Sequence, residues 1–140
     1  MTSPHSHETN SQEVIDQILA LENWAIVGLG TNQARPAYGV AKLLKEKGHH
    51  IFPVHPRGES VHGETGYKSL SEIPISVDVV DCFVNSDRVG QVVDEAIKIG
   101  AKAIWMQLDV IDQSAIERAR SAGLLTVMNR CPAIEYAKKG

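Results

Sequence analysis

The chain has little cysteine, little excess charge and no long apolar run, and each shortage closes off a class of protein. Its two cysteines stand in unlike contexts: Cys82 lies inside the apolar run VDVVDCFV, and Cys131 lies in the loop-like NRCP. With no Cys-x-x-Cys pair, the expectation is two free thiols rather than a disulfide framework. There is no His-x-x-x-His, and the six histidines are scattered, with His5 and His7 in the first few residues. No metal site is expected from such a pattern. No stretch approaches the roughly 18 apolar residues that a membrane-spanning helix requires, and the opening MTSPHSHETN is polar where a signal peptide is apolar. A cytoplasmic protein without a membrane partner is the expectation. The formal net charge of -3 supplies no electrostatic footprint for nucleic acid. Catalytic signatures are missing too: no Gly-x-Ser-x-Gly elbow, no Walker-type loop, no paired carboxylates and no nucleophile with an adjacent base. No catalytic residue is assigned.

What is present is an alternation of short apolar strands and helical patterns. The 140 residues, 43% apolar and 22% charged, suffice for one domain with one core. Residues 1–10 read as a flexible tail and 11–140 as the folded unit. Asn10 with Glu13 resembles a capping box opening a helix over 11–21, with Val14, Ile15, Ile18, Leu19 and Leu21 on its apolar face. WAIVG is the first strand. A second helix opens at Pro36, where a missing amide hydrogen costs nothing, and Gly48 stands at its C-terminal stop. HHIFPV is the second strand; the turn-rich HPRGESVHGETGYKSL after it holds a short hairpin, and Ser71 caps a minor turn. VDVVDCFV, AKAIWMQL and LLTVMN are the remaining strands, separated by helices from Asp87 to Ile99 and over 112–123. This order predicts a Rossmann-like three-layer α/β fold with a five-stranded parallel sheet. In such sheets ligands lie at the carboxyl ends of the strands, so the segments after each strand are the candidate site.

The first of these segments is GLGTNQARPAY. Gly28 permits a tight turn, Gly30 lets the backbone come close to a bound group, and the helix N-terminus beyond favours an anion. Arg35 offers a charged fork to the same phosphate. The pattern is incomplete as a dinucleotide fingerprint, because Gln33 occupies the third glycine's place. The bland alternative is a plain strand-to-helix turn. After the second strand the chain carries His55, Pro56 and Arg57, where NAD-binding domains place an acid. A phosphorylated ribose fits that end better, and two cofactors have one: NADP and coenzyme A. Farther along, Val84, Asn85 and Ser86 follow the third strand, with Ser86 or Asn85 also read as the helix cap and Ser86 favoured. Trp105, Met106 and Gln107 end the fourth, where the ring and thioether alternatively fill the core. Cys131, beside Arg130, reads as either a reactive thiol or an ordinary loop cysteine.

Four blocks, RPAYGVAKLLKEKGHHIFPVHP, VDVVDCFVNS, AIKIGAKAIWMQL and VMNRCPAIEY, resemble in order and spacing the small bacterial and archaeal CoA-binding proteins of the YccU type. These are similar in turn to the N-terminal domain of the succinyl-CoA synthetase α subunit. The resemblance runs from about Ile15 to Tyr136. It implies coenzyme A or an acyl-CoA lying across the strand ends. Gly30, Thr31, Asn32 and Gln33 would wrap the phosphates beside Arg35 and Pro36, and His55, Pro56 and Arg57 would lie near the adenosine. Val84, Asn85, Ser86, Trp105, Met106 and Gln107 would line the rest of the groove. This chain departs from those relatives twice, with Leu29-Gly30 where they carry Ala-Ser and Asp109 where they carry Gly. The synthetase's catalytic histidine and ATP-binding partner lie outside the resembling domain. The resemblance therefore implies a non-catalytic carrier, sensor or partner of a larger enzyme, with a protein partner or a homo-oligomer left open; an NADP-binding oxidoreductase or redox sensor is the alternative.

Overall fold

A computed structural model describes residues 8–139. Most of the expected tail, with His5 and His7, lies outside the described residues. Its last part is anchored. Asn10 donates through Nδ2 to the Met128 carbonyl at 2.9 Å and accepts from the Met128 amide at 2.7 Å, while the Thr9 and Thr126 hydroxyls meet at 2.7 Å. This engagement leaves no capping box at Asn10. The helix α1, Gln12–Leu19, is capped instead by Ser11, whose side chain accepts from the Val14 amide.

Five parallel strands form one sheet: β1 Asn23–Val27, β2 His50–Val54, β3 Val79–Cys82, β4 Ala103–Met106 and β5 Leu125–Val127. Their spatial order is β2-β1-β3-β4-β5, so the winding reverses between β1 and β3. The helices are α2 Pro36–Glu46, α3 Ser86–Lys98, α4 Gln113–Ser121 and α5 Pro132–Lys138. On one face α1, α2 and α5 cover Trp24, Ile26, Val79 and Trp105; on the other α3 and α4 cover Ala25, Val80, Ile104 and Met106. Cover on both faces is why β3 and β4 are buried at every position and apolar nearly throughout. Trp24 and Trp105 sit 5.9 Å apart at the centre of the first face, and each satisfies its indole N–H, on the Leu21 and Arg130 carbonyls.

Three local expectations are corrected. The helix α5 follows β5, where no helix was read. It has only seven residues, so its stability comes from packing: the Tyr136 hydroxyl lies 2.6 Å from His49 Nε2 and donates to the Leu19 carbonyl at 3.2 Å. The 3-10 turn Leu70–Glu72 has Ser69 at its cap position and Ser71 inside it. The hairpin expected in the preceding loop shrinks to one bridge between Val61 and Glu64. Gly48, at φ 97°, ends α2 in the left-handed conformation its position predicts.

Candidate functional site

At the switch point three strand ends are stitched together. The Gly28 amide donates to the Val54 carbonyl and the Phe83 amide to the Val27 carbonyl, both at 2.8 Å. Gly28 has φ 99°, and a Cβ on it would stand 2.3 Å from the Phe83 carbonyl oxygen, so no larger residue fits. A Cβ on Gly30 would stand 3.1 Å from the His55 ring, which packs beside the glycine. Beyond it the loop folds on itself, with Asn32 Oδ1 accepting from the Ala34 amide at 3.0 Å. Arg35 then takes the N-cap position of α2, and no side chain caps that helix. Pro36 carries no N–H and the Tyr38 amide donates to the Arg35 carbonyl at 3.1 Å, so the Ala37 amide is the first-turn donor left over.

Three cavities meet around Gly28 and Arg35. One, about 270 Å³, is lined by Gly28, Gly30, Thr31, Asn32, Arg35, His55 and Arg57, with Glu59 the residue sequence reading missed. Arg57 stands 4.0 Å from that carboxylate and is 75% exposed, so the pairing leaves it free to turn to a ligand. The second, about 360 Å³, lies between the strand ends and α3 and takes in His55, Pro56, Val84 and Asn85. Lys68 and Arg88 add two cations to its wall. They escaped notice because one sits in an irregular loop and the other one turn into a helix. The third, about 490 Å³, opens on the far side of Arg35 and is walled by Pro36, Phe83, Val84, Asn85, Gln107 and Cys131, among others.

Four expected site residues stand elsewhere. Trp105 and Met106 are fully buried, on opposite faces of β4, and hold the core rather than a groove. Gln33 is exposed on the loop and lines none of these cavities. Ser86 is the first residue of α3 rather than its cap, which is Asn85. Its hydroxyl accepts from the Ile111 amide at 2.9 Å and donates to the Asp109 carbonyl, pinning the loop after β4. That loop carries Asp109 at φ 66°, a conformation that favours glycine, with its amide held by Asn129 Oδ1 at 2.7 Å.

Two buried polar groups stand out. Gln107 is 5% exposed, lines the third cavity, and its Oε1 has no partner. Asp81, in the central strand, is fully buried with neither oxygen partnered, and burial pushes its pKa well above the carboxylate range. It lies in the core, outside the cavities. Both cysteines are free thiols: Cys82 is sealed in the sheet, its pKa raised by burial and then by Asp81, whereas Cys131 reaches the third cavity. Among the described residues there is no metal-binding cluster and no helix able to cross a membrane.

A parallel sheet wound on both faces, with a glycine turn and an uncapped helix N-terminus at its switch point, defines a Rossmann-like domain. Within that class, the chain belongs to the CoA binding domain family, which matches residues 22–137. It is similar to a hypothetical protein from Pyrococcus horikoshii OT3, with TM-score 0.87 and 36% identity, over 99% of this chain and 96% of that one. It is 27% identical over 113 residues to the uncharacterized protein YneT of Bacillus subtilis, covering 81% of this chain and 84% of that protein. Over 81 residues, 57% of its length, it is 36% identical to the alpha subunit of ADP-forming acetate-CoA ligase II from Pyrococcus furiosus. That match covers only 18% of the ligase subunit.

Proposed function

We propose that this protein binds coenzyme A or an acyl-CoA across the carboxyl ends of its strands, as a carrier, a sensor or the CoA-holding partner of a larger enzyme. The observation that carries this reading is the meeting of three cavities at Gly28 and Arg35, beside the uncapped N-terminus of α2. An anionic diphosphate finds there a guanidinium and the positive end of a helix dipole. The adenosine end lies toward His55, Pro56 and Arg57 after β2, where Arg57 meets the phosphate on the ribose. The pantetheine arm runs the other way, past Phe83, Val84 and Asn85 toward Gln107. Kinship with a ligase subunit whose name includes CoA supports the choice of cofactor. No residue in the three cavities forms a nucleophile and base pair, and the reading assigns no catalysis.

Isothermal titration of the full chain with CoA and with dephospho-CoA tests it. CoA is expected to bind, and dephospho-CoA about tenfold or more weaker, since a charge-assisted contact contributes about 1.5–3 kcal/mol. Equal affinity would remove Arg57's role. No heat from either ligand, with no shift in melting temperature, would remove the reading itself.

A further inference from the structure

The structure assigns a chemistry to Cys131: we propose that it is a thiol-exchange site that captures the tail of a bound pantetheine disulfide as a mixed disulfide. The inference rests on the CoA reading and deepens it. Cys131 is only 8% exposed and forms part of the wall of the cavity of about 490 Å³ beyond Arg35. The cavity is the route by which a reagent would reach its sulfur. The other cysteine offers no competing route, because Cys82 is 0% exposed within β3.

A second observation in the same cavity points to the occupant. Gln107 is among its lining residues, is 5% exposed, and its buried Oε1 has no donor. An orphaned acceptor costs about 1–3 kcal/mol, which a ligand N–H would recover. Pantetheine carries amide N–H groups along an otherwise aliphatic chain. Val40, Phe83, Leu108 and Val110 give that chain apolar walls. Arg35 and Gly28 line both this cavity and the glycine-loop cavity, so a ligand anchored by its diphosphate directs its arm here.

The step is an exchange and needs no outside oxidant. The Cys131 thiol loses its proton, and Sγ attacks the nearer sulfur of CoA disulfide. A bond forms from Sγ to that sulfur, and the original S–S bond breaks. The departing CoA leaves as a thiolate and takes up a proton. Cys131 is oxidised and the departing sulfur reduced. The anchored nucleotide raises the local concentration of the disulfide over that of an untethered one.

The reduced protein is mixed with CoA disulfide or, separately, with oxidised glutathione at equal concentration, and followed by intact mass and peptide mapping. In parallel, CoA binding is measured by calorimetry with reductant present. The expected result is one adduct, equal in mass to CoA less a pair of hydrogens, on the Cys131 peptide. It should form about tenfold or more faster than the glutathione adduct. Cys131→Ser should abolish it and Cys82→Ser preserve it; Arg35→Ala should slow the CoA adduct while leaving the glutathione adduct unchanged. Mapping on the unsubstituted protein locates the adduct should a variant misfold. If CoA binds under reductant yet Cys131 reacts no faster with CoA disulfide than with glutathione, the inference fails and the CoA reading stands. Absence of binding in calorimetry overturns both.

Discussion

At Gly28 a single methyl group is in question. With φ 99° and the Phe83 carbonyl oxygen 2.3 Å from the added Cβ, Gly28→Ala combines left-handed strain with a backbone clash. The expected loss is about 2–4 kcal/mol, read as a lowered urea midpoint. Asp109 is the opposite case, a side chain where the backbone favours its absence, at φ 66°. Asp109→Gly should raise stability by about 0.5–1 kcal/mol in the same assay. It also removes an acid from the wall of the third cavity, so CoA should bind more tightly in calorimetry. The sequence showed both positions by comparison of motifs, yet neither φ nor the Phe83 contact is legible there. Those follow from where β3 passes β1.

At the scale of elements, two buried titratable groups tie stability to pH in opposite directions. His49 bridges the end of β1's approach to α5, with Nδ1 2.8 Å from the Leu21 carbonyl and Nε2 2.6 Å from the Tyr136 hydroxyl. Burial holds its pKa below the ordinary value, against a weaker upward pull from Leu21. The unfolded chain therefore takes up a proton first, and His49 stabilises the fold above about pH 6.5 and loses that contribution as pH falls. His49→Gln should flatten the decline in melting temperature between neutral and mildly acid pH. Asp81 acts with the other sign. Its folded pKa is raised by burial, so its contribution is complete below about pH 3.9 and is lost as pH rises toward the folded value. Asp81→Asn should leave the protein more stable at neutral pH and abolish that part of the slope. A slope unchanged by Asp81→Asn would mean that the carboxyl is solvated after all.

For the whole molecule, the cavities open between elements that a ligand would clamp together: α2, the ends of β1 to β4, and the loop after β4. A ligand that binds only the folded chain stabilises it by about 2.7 kcal/mol at 100 times its dissociation constant. CoA at that excess should raise the melting temperature by several degrees. Gly28→Val should lose the shift along with stability, whereas Arg35→Ala should lose most of the shift alone, because Arg35 is exposed and makes no bond that the fold needs.

The sequence by itself determined the succession of strands and helices, because alternation of apolar runs with helical periodicity is a local property. It also determined the glycine turn, the Pro36 helix start and the family, since these are carried by contiguous residues. Only the tertiary structure decided which strand-end residues face a cavity. Trp105 and Gln107 lie two apart in the same chain segment and both are buried, yet the first is sealed in the core cluster while the second lines the third cavity. Nor was it visible that Gln107 and Cys131 line one cavity, for β5 is set beside β4 by the winding of the sheet. Burial depends on what packs above a residue, and that is supplied by segments far away in the chain.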